Sequence, residues 1–208
     1  MKHSTLRTLG FLAMVLWNGG CVSGPRPIVW EQLPFPKDSD WPGSKGAPAA
    51  VAQDELILQA QEVRTTEEHS VPLVIQCAAY PDLTNAPHSW LLIKFVPVGQ
   101  PLDTEPDRLT TLAIGNRHAP PSGDKDVMFI ERREGGRARK LWGEQEFTAK
   151  PDRVYHLKAE ISPDKIRITI DGQTFEAPGV TVGYPKFYVQ LQGWQPPNRW
   201  HVQDFSIH

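Results

Sequence analysis

The stretch Val154-Tyr-His-Leu-Lys-Ala-Glu-Ile-Ser-Pro-Asp-Lys-Ile-Arg-Ile-Thr-Ile-Asp-Gly172 decides the fold. Tyr155, Leu157, Ala159 and Ile161 fall on one side of an extended chain, and His156, Lys158 and Glu160 on the other. That two-residue period belongs to a half-buried strand. Ser162-Pro163-Asp164-Lys165 follows as a turn, with Pro at the second position, where its fixed φ is favourable. Ile166, Ile168 and Ile170 then alternate with Arg167, Thr169 and Asp171. Asp171-Gly172 is a two-residue hairpin signal, because both central residues of a type I′ turn need positive φ. The return strand carries Phe175. Three strands with one apolar and one polar face make an antiparallel meander, and two such sheets stack as a sandwich.

Outward from this meander, most of the chain repeats the pattern. Strands are predicted at Glu55–Val63, Val71–Ala79, Ser89–Val98, Leu109–Gly115, Asp126–Arg133 and Arg137–Phe147 before it. Others follow at Thr174–Ala177, Lys186–Gln192 and Trp200–Ile207. No helical period runs longer than about three turns, although Ala50–Gln61 leaves room for a short helix. The 20 Pro and 16 Gly stand between apolar runs, as turns of a β protein do, and 39% hydrophobic residues supply a core. Residues 34–53 are rich in Pro, Gly, Ser and Ala and read as an arm, preceded by one strand at Ile28–Leu33. Trp30 and Trp41 are expected to pin that arm to the domain.

The N-terminus reads differently. Lys2 and Arg7 precede nine residues, Leu9–Trp17, that form an apolar run. This is the layout of a signal peptide, and it is too short to span a bilayer core, which takes roughly 20 residues. Gly19-Gly20-Cys21 resembles the lipobox of bacterial lipoproteins, with Asn18 where Leu is usual. The resemblance implies that Cys21 carries lipid and becomes the mature N-terminus. The organisation expected is a signal peptide at 1–20, a lipidated N-terminus and arm at 21–53, and a β-sandwich domain at 54–208. Localisation follows as exported, in the cell envelope, lipid-anchored to an outer membrane or cell surface. Cys77, between Ile75 and Ala79 in an alternating run, reads as a core residue.

The meander, with Phe187-Tyr-Val-Gln-Leu-Gln-Gly193 and the closing Val202-Gln-Asp-Phe-Ser-Ile207, resembles the concanavalin A-like lectin/glucanase sandwich and its laminin-G-like branch. The resemblance is clear over residues 153–208 and rests on strand count over 54–152. It implies an all-β, antiparallel jelly-roll sandwich, a fold that hosts lectins, glycosidases and structural modules alike.

Charge excludes one class of partner. The whole chain carries −2; residues 1–20 take two of 22 basic residues and none of 24 acids, so the remainder carries −4. Nucleic acid is therefore not an expected partner. A basic strip at Arg132, Arg133, Arg137, Arg139 and Lys140 reads as a solvated hairpin. The Glu-x-Asp-x-x-Glu arrangement of the resembling glucanases is missing, and Glu144-Gln-Glu146 brings two carboxylates without a third. Asp38 and Asp40 are too few for a calcium loop. No catalytic residue, metal or cofactor is assigned.

The expected ligand face lies on Lys186–Trp194. Phe187, Val189 and Leu191 take the core, which leaves Tyr188, Gln190, Gln192 and Trp194 on the opposite side, with Trp200 extending that surface. Flat aromatics beside planar amides suit sugar binding. The alternative is that these aromatics cover a sheet edge or pack beneath the arm. Asn116-Arg-His118 is a weaker polar candidate. The function expected is a tethered, non-catalytic glycan- or envelope-binding module. The alternatives are a diverged glycosidase or a structural envelope lipoprotein.

Overall fold

The computed structural model describes residues 28–33, 50–51, 55–59, 62–82, 89–101, 106–116, 128–144, 147, 149–150, 153–194 and 199–208. Cys21, Asp38, Asp40, Trp41, Glu146 and Arg117-His118 lie outside the described residues.

Fourteen strands are described: β1 (Trp30–Gln32), β2 (Ala50–Val51), β3 (Glu55–Leu58), β4 (Val63–Thr65), β5 (Leu73–Asp82), β6 (Ser89–Pro97) and β7 (Arg108–Asn116), then β8 (Met128–Glu134), β9 (Arg137–Glu144), β10 (Tyr155–Ile161), β11 (Lys165–Ile170), β12 (Gln173–Pro178), β13 (Phe187–Trp194) and β14 (Arg199–Ile207). They form two seven-stranded sheets. Sheet A runs β1-β4-β13-β6-β7-β8-β9, and sheet B runs β12-β11-β10-β5-β14-β3-β2. The strand pairings are antiparallel throughout the described residues. The protein is an all-β antiparallel sandwich.

The opening meander folds as its alternation requires. Leu157 pairs Ile170, Ala159 pairs Ile168 and Ile161 pairs Ile166, so three apolar pairs point to the core. At the β11–β12 turn Asp171 has φ 48° and Gly172 φ 85°, the two positive values that a type I′ hairpin needs. Asp171 also caps the neighbouring strand, accepting the His156 N–H at 2.9 Å and Arg153 Nη2–H at 2.8 Å.

The core lies between the sheets. Ile75, Leu157, Ile166, Ile168 and Val202 from sheet B meet Val63, Phe95, Leu112, Ile130, Phe187 and Val189 from sheet A. Phe95 and Phe187 meet edge to face, 5.4 Å between ring centroids. Cys77 is buried in this core, and burial pushes its thiol up to about 12.

Two expectations change. The run Glu55–Val63 is not one strand: β3 belongs to sheet B and β4 to sheet A. The inward residues switch from even to odd positions, Leu56 and Leu58 against Val63 and Thr65, because the chain changes sheets between them. No helix forms within the described part of Ala50–Gln61, since β2 and β3 pair there as a ribbon. The segment before residue 54 supplies strands to both sheets, β1 at one edge of A and β2 at one edge of B. Trp30 does pin β1, packing edge to face on Phe205 of β14 at 5.0 Å.

Candidate functional site

Strand β13 carries the site, because its alternation gives one face to the core and the other to the outside of sheet A. Phe187, Val189 and Leu191 are fully buried in the core cluster. Tyr188, Gln190, Gln192 and Trp194 share the opposite face. Register then shows what lies beside them. On β6, Val96, Lys94, Leu92 and Trp90 stand opposite these four in turn. On β4, Arg64 stands opposite Gln190.

Followed sideways, the register draws one polar line across the sheet. Glu31, Arg64, Gln190, Lys94, Thr111, Glu131 and Lys140 occupy successive strands from β1 to β9, each opposite the next. Both cations at its centre, Arg64 and Lys94, are paired. Arg64 Nη2 lies 2.6 Å from Glu31 Oε2, and Lys94 Nζ bonds Glu62 Oε1. The Arg64 guanidinium sits over the Tyr188 ring, 4.3 Å from its centroid, in cation–π geometry.

Beside the polar line the face turns apolar and aromatic. Trp194 stands opposite Trp90, and Trp90 meets Phe129 edge to face with centroids 5.3 Å apart. Opposite Trp90 on β7 is Gly115. Leu92, Val96, Leu109 and Ala113 are buried on this side although they lie outside the core cluster. Lys94 and Gln190 are also buried, at 8% and 2% exposure. The middle of the face is therefore covered by its neighbours.

Four of the five residues expected to form a ligand face are brought together here. Trp200 is not among them. It belongs to sheet B, is 2% exposed, and donates Nε1–H to the buried Ser89 Oγ at 2.8 Å. Its parity decides this: Trp200 and Val202 point into the core, while His201 and Gln203 point out. Glu144 sits opposite Met128 on the edge strand β9.

Sequence reading missed Arg64, Lys94, Trp90 and Phe129. The signal was present in Ser89–Pro97, where Trp90, Leu92, Lys94 and Val96 alternate with Leu91, Ile93 and Phe95. Both faces of that strand are apolar enough to hide the alternation, and Lys94 was its one visible mark.

A second polar cluster lies on the outside of sheet B. Glu55 Oε1 accepts hydrogen bonds from Tyr80 OH at 3.2 Å and Gln203 Nε2 at 3.0 Å, and His201 Nδ1 is 3.0 Å away. The Tyr80 and His201 rings stack at 4.5 Å. Among the described residues, no group of three or more His, Cys, Asp or Glu could hold a metal ion.

Comparison with known proteins adds the fold. No family model matches the chain, and no curated protein matches it. Solved structures do. A carbohydrate-binding module, CBM66 from Bacillus subtilis, superposes with TM-score 0.55 at 12% identity, covering 86% of this chain and 94% of that one. The exoplasmic/lumenal domain of VIP36, solved bound to Ca2+ and Man3GlcNAc, gives 0.56 at 10% identity over 76% and 82% of the two chains. A structure from work on endo-acting O-glycanases of the human gut microbiota gives 0.56 at 11% identity over 88% and 92%. At such identities the likeness establishes a lectin-like sandwich fold and nothing finer.

Proposed function

We propose that this chain is a non-catalytic glycan-binding module, exported and tethered to a membrane by lipid on Cys21. One observation carries the binding reading: the outer face of sheet A sets Trp194 and Trp90 opposite each other beside a line of amides and charged groups. Indole rings stack on the apolar C–H side of a sugar, and Gln and Arg bond its hydroxyls. The carboxylates Glu31 and Glu62 are each engaged by a cation, which favours positioning over hydrolysis. The tether rests on the signal-like residues 1–20 and the lipobox-like Gly19-Gly20-Cys21.

Binding should fall in the micromolar to millimolar range, roughly −4 to −8 kcal/mol. A glycan array followed by calorimetry tests it. Trp194→Ala should weaken binding about tenfold or more while its melting temperature stays near that of the wild type. Absence of binding to every glycan tried would remove this reading and leave a structural envelope role.

A further inference from the structure

We infer that the polar line selects a neutral oligosaccharide, anchored by a hydroxyl at Gln190 and Arg64 and stacked at Trp194 and Trp90. This rests on the glycan-binding reading of the same face and adds the ligand's charge class and length. Gln190 Oε1 is buried and lacks a hydrogen-bond partner, and so does Arg64 Nε on the strand directly opposite. A buried amide oxygen without a donor lowers stability, and an apolar side chain of the same shape would remove that loss. The fold alone therefore gives no reason for glutamine at position 190.

The two orphaned atoms are complementary. Gln190 Oε1 lacks a donor and Arg64 Nε lacks an acceptor. A hydroxyl supplies both, accepting from Arg64 Nε–H and donating to Gln190 Oε1. A carboxylate or sulfate only accepts, so it leaves Gln190 unanswered. The cations of this part of the face are already paired with Glu31 and Glu62, so no unbalanced positive charge calls for an anion. Both orphaned atoms lie beneath the surface, so access for the hydroxyl requires the Arg64 guanidinium to move from its place over Tyr188.

Spacing sets the length. Gln190 and Trp194 lie on one face of β13, four residues apart. At a strand rise of about 3.3 Å that is roughly 13 Å, more than one sugar ring covers. The ligand lies along β13, with one end on the Trp pair and the other in the polar slot.

Calorimetry with glucan, galactan and mannan fragments of one to six units, beside oligogalacturonates of matching length, tests this. The proteins compared are wild type, Gln190→Leu, Arg64→Lys and Trp194→Ala. Wild-type affinity should rise about tenfold or more from one unit to three and favour a neutral series. Gln190→Leu should weaken the three-unit ligand about tenfold and the single sugar less than twofold. Arg64→Lys, which keeps the charge facing Glu31 but removes Nε, should behave alike, and it carries the test should Gln190→Leu not fold. Free Gln190→Leu should melt above wild type, a readout that needs no glycan. A folded Gln190→Leu whose melting temperature does not rise, an unchanged three-unit affinity in the slot variants that fold, or a preference for oligogalacturonate would overturn the inference. Loss of binding in Trp194→Ala with none in the slot variants would sink the slot alone. A wild type that binds nothing would sink the glycan reading as well.

Discussion

Trp90 can lie flat against β7 because position 115 is glycine. A Cβ there would come 2.4 Å from Trp90 Cε3 and 2.7 Å from the Ser89 carbonyl oxygen. Gly115→Ala should therefore lift the indole, lower stability by about 1–3 kcal/mol in urea unfolding, and weaken glycan binding without altering any side chain in the polar line. Gly172 is sensitive for another reason. It has open space around it, but φ 85° is a conformation that β-branched residues avoid. Gly172→Val should destabilise by more than the roughly 0.5 kcal/mol of an innocuous surface change. Cys77, with its thiol held to about 12 in a buried site, should resist alkylation at pH 8 until the protein is unfolded. At this scale the sequence was legible wherever one face of a strand was apolar and the other polar, as for Phe187 to Trp194. It was not legible for Trp200, whose polar neighbours Arg199 and His201 disguised a core position.

Strands were recognised by alternation, and all the late ones, β10 to β14, are found within two residues of where the pattern put them. The break between β3 and β4 was missed because a strand that changes sheets keeps its composition and alters only its parity. Three strands of sheet B are tied by Glu55 on β3, which meets Tyr80 on β5 and His201 and Gln203 on β14. Burial alone would raise the Glu55 carboxyl. The hydrogen bonds from His201 and Gln203, the charge of His201 and the bond from Tyr80 outweigh it and hold the group below its ordinary 4.5. Asp171 is likewise held low: the His156 N–H and Arg153 outweigh its burial. A carboxylate lowered in the folded state stabilises fully above its unfolded value and loses that contribution as pH falls through the folded one. Melting temperature should thus drop as pH is taken from about 5 toward 3, and Glu55→Gln should flatten part of that slope. Each carboxylate keeps about a quarter of its side-chain surface in solvent, 27% for Glu55 and 26% for Asp171, so the effect should be modest.

For the molecule as a whole, far-UV circular dichroism should show β signal, with helix well below the roughly one-third average of globular proteins. Cys21→Ser should move the protein from the membrane fraction to the soluble one and abolish labelling with radioactive palmitate; an unlabelled, soluble wild type would end the tether proposal. The sandwich was readable from the period-two pattern and hairpin signals. The candidate site was half readable, because a strand's own alternation tells which residues share its face but says nothing of which strand becomes its neighbour. Arg64 and Lys94 join Gln190 from positions 126 and 96 residues earlier in the chain, through pairings that only the folded sheet supplies.

That strand order also sets when the chain can fold. In sheet A, β13 lies between β4 and β6, and in sheet B, β14 lies between β3 and β5. Until the last strands arrive, β1 to β4 have no place in either sheet, and the middle of the chain holds two separate meanders. Completion of both sheets must wait for contacts between β1–β4 and β13–β14, far apart in sequence, an order that slows folding. Before β13 and β14 are made, neither sheet can be completed. A premature stop before Phe187 would leave a molecule with no way to close.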